Sequence, residues 1–350
     1  MKALVVEKPG VLQVQDVSEP SMGDYEARCQ MLYGATCTGT DLAVIDGTFA
    51  WGNVYPSIIG HESIGRVIEV GKKVRNFKVG DLVARVYTRE TEGMGLSWGG
   101  MCEYGLALDH QAMQLDGLDK SEWEYYRVNQ VIPEGIIDPM DATMIITWRE
   151  NLSWVNRMGV KEGDRVLVIG SGANGISIGA MCAIKGAHVI MLGSASRKGS
   201  ALGAGMQEYI DYRSQKDVET LIETHKGQTD YIIDATGKKE ALTPYMTCLK
   251  TGGTVAVYGM DDYYSYSFNP ILGPVSFRFY NAVYDEAETH QEVIELIRSG
   301  RLDASNWLDK NHIFTWENAP EAYEYVRSKK AIKSVIRLYQ TEEEKGQWRK

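Results

Sequence analysis

Cysteine and long apolar runs are both scarce in this sequence, and each shortage excludes a class of protein. The five cysteines stand singly and form no Cys-x-x-Cys pair, so they build no disulfide framework and suit a reducing compartment. No run approaches the roughly 18 apolar residues of a membrane-spanning helix. The N-terminus has neither the apolar core nor the cleavage site of a signal peptide. We therefore expect a cytoplasmic protein with no membrane partner.

Positive charge is scarce as well. The net charge is -10, whereas binding to nucleic acid requires a basic surface, so no nucleic-acid partner is expected. A few local Arg and Lys residues would still hold the phosphate of a small molecule. With 44% hydrophobic and 24% charged residues, the composition is typical of a globular protein. The length of 350 residues exceeds one small core and favours two domains.

Two patterns of hydrophobic residues divide the chain. Up to about residue 115, short apolar or alternating runs such as residues 3–7 and 11–17 are separated by tight turns. This pattern predicts a barrel-like or partly open β-domain. From about residue 140, apolar strands alternate with helices, which predicts a doubly wound parallel sheet covered on both faces. The expected fold class is therefore α/β. The highly charged tail at 341–350 is expected to be loosely held.

A glycine-rich turn follows the first of these apolar strands. Residues 166–169 are branched and apolar, and Gly170, Gly172 and Gly175 then follow in the pattern G-x-G-x-x-G before a predicted helix. The first glycine permits a tight turn, the second lets backbone approach a pyrophosphate, and the third lets the helix pack closely on the sheet. The helix N-terminus offers N–H groups to the phosphates. Within repeated strand–helix alternation, this motif predicts a dinucleotide site.

The residues after the second strand indicate which nicotinamide cofactor binds. NAD sites usually place an acidic residue there, which binds a ribose hydroxyl. No acidic residue follows Leu192, and Ser194, Ser196, Arg197 and Lys198 come instead. Hydroxyl groups and cations suit a 2′-phosphate, which favours NADP(H). Alternatively, the two basic residues begin a solvated helix and NAD binds without its usual partner. The candidate cofactor-binding residues are Gly170, Gly172, Ala173, Asn174, Gly175, Ser194, Ser196, Arg197, Thr236 and Gly259.

The stretch PSIIGHESIGRVIEVG (56–71) carries a more specific pattern. It resembles the motif G-H-E-x-x-G-x-V-x-x-V-G, followed by G-D-x-V, of the zinc-dependent medium-chain dehydrogenases/reductases, the group of alcohol, sorbitol and threonine dehydrogenases. The segment GGMCEY (99–104) is similar to their G-G-F-A-E-Y. The resemblance covers nearly the whole chain. It implies a GroES-like catalytic domain at 1–147 and 288–350, and a Rossmann domain at 148–287. The matching residues are Gly60, His61, Glu62, Gly65, Val67, Val70, Gly71, Gly80, Asp81 and Val83.

The resemblance also implies the ligands of a catalytic zinc. In the family these are an early Cys, the His of G-H-E, and a Cys or Glu just before the nucleotide domain. His61 matches directly, and Glu62 corresponds to a residue that is a ligand or a neighbouring group in several members. Glu150 matches the last position, although Asn151 stands where the polyol branch has Pro.

The first ligand is ambiguous, because CTGTD (37–41) aligns with the family's C-G-[ST]-D only with one extra residue. Cys37 is the expected ligand, since a thiolate binds zinc better than a hydroxyl does, and Thr38 is the alternative. A buried structural Cys37 in an enzyme without zinc is a further reading. The family's proton relay is the hydroxyl after the first ligand, which corresponds to Thr40, or to Thr38 in the other register.

The family's second, structural zinc is not expected, because residues 84–100 contain no cysteine. This absence and Glu150 favour the polyol and sugar branch, by analogy with the family. The substrate is therefore expected to be a polyol, a sugar or a sugar derivative that presents a secondary alcohol or ketone. The candidates for contact with its hydroxyl groups are Arg89, Glu90, Trp98, Trp148 and Arg149.

Two other functions remain open at this point. A zinc-free quinone or enoyl reductase would bind NADPH without a metal, and a non-catalytic nucleotide-binding protein would bind NADPH and oxidise no alcohol. The resemblance also implies a homodimer or homotetramer. The strand expected within 278–285 lies at the end of the parallel sheet, and an exposed apolar edge of this kind favours pairing with another chain.

Overall fold

The computed structural model describes residues 1–90 and 93–340, so the expectation for the tail at 341–350 lies outside the described residues. The chain divides into two compact units, one made of Met1–Ile146 and the chain from Leu308 onward, the other of Thr147–Trp307. Among the described residues, none of the helices combines the length and the apolar character that crossing a membrane requires.

The strands and helices follow the order that the two hydrophobic patterns predict, except that the helix predicted at 239–253 is wrong: a 3₁₀ helix spans Thr243–Cys248, and the strand that follows begins at Leu249. The strands are β1 (Lys2–Lys8), β2 (Val11–Asp16), β3 (Glu26–Ala35), β4 (Ser57–Ile58), β5 (Glu62–Val70), β6 (Leu82–Ala84), β7 (Gly95–Leu96), β8 (Tyr104–Leu108), β9 (Gln130–Ile132), β10 (Arg165–Ile169), β11 (His188–Gly193), β12 (Glu208–Asp211), β13 (Thr229–Asp234), β14 (Leu249–Val257), β15 (Arg278–Tyr280), β16 (Leu308–Phe314) and β17 (Lys333–Arg337). The helices are α1 (Thr40–Asp46), α2 (His110–Leu115), α3 (Lys120–Trp123), α4 (Met144–Met158), α5 (Ala173–Ile184), α6 (Lys198–Gly203), α7 (Gln215–Thr224), α8 (His290–Arg298) and α9 (Ala319–Arg327).

The first unit is built on two β-sheets. One sheet has the order β16-β17-β3-β5-β6-β9, with β8 also paired to β3, and the other has the order β2-β1-β4-β7. Buried apolar side chains from both sheets and from α9 form a shared core; examples are Leu4, Met31, Ile58 and Tyr323. The β-rich domain expected at the N-terminus is therefore present, and the C-terminal strands complete its larger sheet.

The second unit is a parallel sheet in the order β12-β11-β10-β13-β14-β15. Its central strand β10 is apolar and buried from Val166 to Ile169, as expected of a strand with both faces covered. The chain leaves β10 for β11 on one side and later returns to β13 on the other. Ligands of doubly wound sheets bind at the carboxyl ends of strands where the order reverses in this way, and the glycine motif lies at that end of β10.

The second unit extends past the expected boundary at residue 287, to Trp307. Two contacts account for the difference. The Trp307 indole Nε1 donates to the Ala173 carbonyl oxygen at 3.0 Å. His290, the first residue of α8, is buried, with its Nδ1 3.2 Å from Arg149 Nη1. The segment 288–307 therefore packs with α4 and α5 of the second unit, whereas the resemblance implied that it belongs to the other domain.

Candidate metal centre and dinucleotide site

Three buried side chains converge in the first unit. One ligand atom each from Cys37, His61 and Glu62 can be chosen so that all three lie within 4.8 Å of one another. Thiolate, imidazole and carboxylate are the ligand types that zinc prefers. Within the described ranges 1–90 and 93–340, these three form the group of His, Cys, Asp or Glu residues whose ligand atoms lie close enough together to hold one metal ion. The structure thus brings together three of the four predicted metal ligands.

Strand pairing explains why residues so far apart in sequence meet. β3 pairs with β5 in antiparallel register, with Ala35 opposite Glu62. β17 pairs with the other edge of β3, with Val335 also opposite Ala35. Cys37 follows the end of β3 and His61 precedes the start of β5, so both side chains lie at one edge of the same sheet.

Gly60 makes the turn that delivers His61. Its φ of +98° lies in the region that side chains with a Cβ rarely adopt. A Cβ at this position would also lie 2.4 Å from Met101 Cγ. The buried Arg85 guanidinium donates from Nη1 to the His61 carbonyl oxygen at 3.0 Å. The glycine of G-H-E is therefore required by backbone conformation and packing, as well as by any role near the metal.

Asp41 orients the candidate ligands. Its carboxylate accepts hydrogen bonds from the Cys37 backbone N–H at 3.0 Å and from the Tyr323 hydroxyl at 3.1 Å. Its Oδ1 lies 3.4 Å from His61 Nδ1, yet this buried nitrogen completes no hydrogen bond within the described part of the chain. A carboxylate beside a ligand histidine commonly fixes the tautomer and the ring orientation.

The charges of the centre favour a cation. Asp41 and Glu62 are buried carboxylates, and the ammonium group of the buried Lys333 pairs with Glu62. Burial on its own lowers the pKa of His61, but the Cys37 thiol and the Asp41 carboxylate raise it more, and the pKa lies well above its ordinary value. Burial lowers and the Glu62 carboxylate raises the pKa of Lys333, which is raised overall. The fit to a divalent metal ion rests on the donor types and their convergence, because a thiol, an imidazole and a carboxylate meet in one buried centre.

The remaining predicted residues of this centre lie as follows. Thr40 is the first residue of α1 and is half-buried, as is Thr38. Glu150 is buried in the middle of α4 and belongs to the second unit, so its part in metal binding stays a prediction. Of the two candidates for the first ligand, Cys37 lies in the group with His61 and Glu62, and the choice between Cys37 and Thr38 stays a prediction.

The glycine motif adopts the conformation that its sequence predicts. Gly170 has a φ of +105° at the turn after β10. A Cβ on Gly175 would lie 1.9 Å from the Gly170 carbonyl oxygen, so α5 passes directly against the turn. A Cβ on Gly172, by contrast, would meet nothing within 4 Å. Two glycines are therefore needed by the fold, whereas Gly172 faces open space at the N-terminus of α5.

The end of β11 presents the predicted hydroxyl groups. Ser194 Oγ lies 3.1 Å from Ser196 Oγ, and both precede the half-buried Arg197 in a short 3₁₀ turn that leads into α6. Ser171, inside the glycine motif, accepts from the Ser194 backbone N–H at 3.2 Å, and the Tyr209 hydroxyl donates to the Ser194 carbonyl oxygen at 2.5 Å. The sequence analysis missed Ser171 and Tyr209, which hold this loop against the glycine turn.

The other predicted cofactor residues lie where β13 and β14 end. Asp234 Oδ1 accepts from the Thr236 backbone N–H at 2.7 Å and from its hydroxyl at 2.6 Å. A Cβ on Gly259 would lie 2.0 Å from the Thr236 carbonyl carbon, so the two loops touch through backbone. Asn174 Oδ1 accepts from Asn151 Nδ2 at 3.1 Å, and the Ala173 carbonyl accepts from Trp307. These two residues are thus held by protein contacts at the start of α5.

Comparison with known proteins agrees with the two halves of the structure. The family model for the alcohol dehydrogenase GroES-like domain matches residues 23–117, and the model for zinc-binding dehydrogenases matches residues 174–299. Among curated proteins, L-galactonate-5-dehydrogenase of Escherichia coli (strain K12) is 24% identical over 345 residues, which cover 96% of this chain and 98% of that protein. D-arabinitol dehydrogenase 1 of Uromyces fabae is 24% identical over 353 residues, which cover 96% and 97%.

A solved structure shows the same fold. Alcohol dehydrogenase TADH from Thermus sp. ATN1 superposes with a TM-score of 0.78 at 21% identity, covering 97% of this chain and 100% of that one. The predicted α/β fold class, with a GroES-like domain and a Rossmann domain, is confirmed.

Proposed function

The chain belongs to the zinc-dependent medium-chain dehydrogenases/reductases and is an NAD(P)-dependent alcohol dehydrogenase, and from that premise we propose its substrate, cofactor and site residues. The proposed reaction moves a hydride between NADP(H) and a secondary alcohol or ketone of a polyol, a sugar or a sugar derivative. The observation that carries the proposal is the buried convergence of Cys37, His61 and Glu62 within 4.8 Å.

The proposed metal ligands are Cys37 and His61, with Glu62 as a ligand or an adjacent carboxylate and Glu150 as the further ligand that the resemblance implies. A zinc ion in such a set supplies Lewis acidity, which favours loss of the alcohol proton and polarises a carbonyl. One zinc is proposed, because residues 84–100 contain no cysteine for a structural site.

The surrounding residues of this chain have separate tasks. Asp41 is proposed to orient the His61 ring, because its Oδ1 lies 3.4 Å from Nδ1. Lys333 keeps its charge beside Glu62 and limits the excess of negative charge in the buried centre. The Thr40 hydroxyl, half-buried at the start of α1, is proposed to accept the proton of the substrate hydroxyl and pass it on toward solvent.

NADP(H) is the proposed cofactor, and its nicotinamide ring supplies the hydride acceptor or donor. The open space beside Gly172 and the N–H groups of the first turn of α5 support binding of the pyrophosphate. Ser194, Ser196 and Arg197 follow β11 where an acidic residue would select NAD. Two hydroxyl groups and a guanidinium bind the 2′-phosphate of NADP(H) better than they bind the free ribose 2′-hydroxyl of NAD(H).

The substrate class rests on two supports. The relatives reported above act, by their names, on L-galactonate and on D-arabinitol. The chain also combines Glu150 before the nucleotide domain with a cysteine-free stretch at 84–100, the combination that favoured the polyol and sugar branch. Both supports point to a substrate with several hydroxyl groups.

Self-association in the cytoplasm is also proposed, as a homodimer or a homotetramer. β15 forms one edge of the parallel sheet. Phe279 on this strand is 49% exposed, and Val275 and Val283 on either side are 95% and 77% exposed. Apolar side chains along an edge strand favour pairing with a second chain.

Metal analysis combined with a substrate panel tests the proposal. The purified protein is expected to contain one zinc per chain and to reduce NADP⁺ with a polyol or a sugar, and chelation is expected to abolish the activity. A metal-free protein that reduces quinones or enoyl groups with NADPH would establish the zinc-free alternative. NADPH binding without activity on any alcohol in the panel would establish the non-catalytic alternative.

A further inference from the structure

An aromatic surface adjoins the candidate metal centre within the first unit. The Trp98 ring centroid lies 5.1 Å from that of His61, with the two planes inclined at 54°. Phe49 packs edge-on against Trp98 at 5.9 Å and against Trp51 at 5.2 Å. Trp98 is half-buried, and Trp51 is 63% exposed. A continuous row of rings therefore leads from a buried metal ligand to the surface.

The backbone holds Trp98 in a conformation that few side chains adopt. Its φ is +71°, in the left-handed region where a bulky residue is an outlier. Hydrogen bonds on both sides fix it there: Ser97 N–H donates to the Ile58 carbonyl oxygen at 2.8 Å, and Gly100 N–H donates to the Gly60 carbonyl oxygen at 2.7 Å. Ile58 and Gly60 belong to the segment that delivers His61. The same backbone pairing therefore holds together the two segments that carry His61 and Trp98.

Strained conformations that persist because their surroundings enforce them concentrate at ligand and active sites. A glycine at position 98 would adopt this φ without strain. The turn alone therefore does not explain a tryptophan here, and the indole side chain is expected to have a function of its own. Trp98 is half-buried and Trp51 is exposed. The row of aromatic rings therefore has an exposed apolar surface next to the polar side chains of the candidate metal centre.

We propose that Trp98 is a specificity-determining residue that stacks on the C–H face of a sugar in its ring form. This inference rests on the proposed function, because it needs the reacting hydroxyl to lie at the metal centre. A pyranose presents axial C–H groups on a rigid face and hydroxyl groups at its rim, which matches a flat ring beside Lewis-acid ligands. An open-chain polyol has no persistent flat face, and a small alcohol has too little surface to reach the indole.

Kinetic comparison of two variants tests this role. Trp98→Asn removes the ring while keeping a residue that tolerates positive φ, and Trp98→Phe keeps a smaller ring. The matched control is Trp123→Phe, a half-buried Trp at the end of α3 in the same unit. The substrates are pyranoses, the corresponding alditols, propan-2-ol and benzyl alcohol, each with zinc-loaded enzyme and saturating NADP⁺.

The expected result is selective. Loss of an aromatic contact of about 0.5–1.5 kcal/mol corresponds to a roughly 2- to 13-fold rise in KM for the pyranose in Trp98→Asn. Trp98→Phe is expected to show a smaller rise; in both variants the loss of kcat/KM for propan-2-ol is expected to be smaller than that for the pyranose, and the zinc content is expected to stay unchanged. Trp123→Phe is expected to behave as the wild type with every substrate.

A second readout does not depend on turnover. In saturation-transfer NMR with zinc-loaded enzyme and a pyranose, the C–H protons of one sugar face are expected to receive saturation in the wild type and in Trp98→Phe, but not in Trp98→Asn. Equal losses with all substrates, or loss of zinc, would assign Trp98 to positioning of His61 and overturn the inference. A wild type that oxidises alditols or benzyl alcohol but no pyranose also overturns it and leaves the proposed dehydrogenase intact. A wild type that oxidises no alcohol overturns the proposed function itself.

Discussion

The substitution Gly172→Ala separates a cofactor role of the glycine motif from a structural one. Gly172 precedes α5 with φ −75° and ψ −177°, extended values that alanine adopts without strain. The added methyl group would meet no protein atom within 4 Å. The fold should therefore be unaffected, and the melting temperature should stay within about 2 °C of the wild type, because less than about 1 kcal/mol is at stake.

Cofactor affinity should fall in the same variant. The methyl group enters the space in which the motif brings backbone close to a pyrophosphate. Displacing the phosphates from the N–H groups of α5 weakens several charge-assisted hydrogen bonds, each of which contributes about 1.5–3 kcal/mol. Loss of one such bond corresponds to a rise in the dissociation constant of at least about tenfold. Isothermal titration with NADPH measures this constant directly.

Gly175→Ala is the matched opposite. Its Cβ would lie 1.9 Å from the Gly170 carbonyl oxygen and 2.9 Å from the carbonyl carbon, and both are backbone atoms that cannot rotate away. Overpacking of this kind costs about 1–3 kcal/mol or more, which lowers the melting temperature by about 2–12 °C for a domain of this size. Scanning calorimetry of the two variants in parallel reports the contrast.

Either of two results would refute the reasoning. Wild-type affinity for NADPH in Gly172→Ala would mean that no phosphate approaches this glycine, and the motif would be a structural turn only. Wild-type stability in Gly175→Ala would mean that α5 does not pass against the turn after β10. Wild-type stability in Gly175→Ala would thus contradict the packing of α5, and wild-type affinity in Gly172→Ala would contradict only the cofactor site.

Four further predictions address other parts of the chain. Cys37→Ser should release zinc and abolish alcohol oxidation while leaving the circular dichroism spectrum unchanged, and retained zinc by elemental analysis would contradict ligation by this residue. Arg197→Asp should raise KM for NADP⁺ by at least about tenfold and leave KM for NAD⁺ nearly unchanged, because a carboxylate repels a 2′-phosphate; equal changes for both cofactors would exclude a phosphate contact. Burial raises the pKa of Asp109, but the N–H donors around it outweigh burial and leave the pKa below its ordinary value. The carboxylate therefore stabilises the fold above about pH 4. This stabilisation is lost as the pH falls through the lowered pKa. Asp109→Asn should lower the free energy of unfolding at pH 7 by about 1–3 kcal/mol and flatten its decline in acid, as urea titrations at several pH values would show. Phe279→Lys should shift the light-scattering mass toward the monomer, and an unchanged mass would place the subunit interface elsewhere.

The sequence predicted those parts of the site that depend on short stretches. The glycine motif defines a turn within six residues, and G-H-E combines a left-handed glycine with the ligand that follows it. Local backbone chemistry indicates Gly170, whereas His61 was indicated by the resemblance of its G-H-E segment to the family motif. The choice between Cys37 and Thr38 was left open because it depends on the path of a loop, and in the structure the end of β3 brings Cys37 to the other ligands.

The partners of the ligands were not predictable in the same way. Lys333 pairs with Glu62 across 271 positions of sequence, and Tyr323 donates to Asp41 across 282. Both contacts depend on the pairing of β17 with β3 and on the packing of α9, neither of which a local pattern reveals. The one available signal was that a lysine begins the last apolar strand, where burial of a charge requires a partner.

The charged residues Asp41, Glu62 and Lys333 are buried in the candidate metal centre, and burial of charge needs a physical reason. Replacing buried ion pairs by apolar residues of similar volume often leaves a fold as stable or more stable, so stability alone is a weak reason for the buried pair of Glu62 and Lys333. The sheet core beside them is apolar and well supplied with large side chains. Lys333 compensates the charge of Glu62, and a divalent ion bound as proposed would offset the cost of burying the Asp41 carboxylate and the Cys37 thiolate. The proposed metal site gives this arrangement a reason, and the strand pairing that assembles it is the part of the fold on which the proposed chemistry depends.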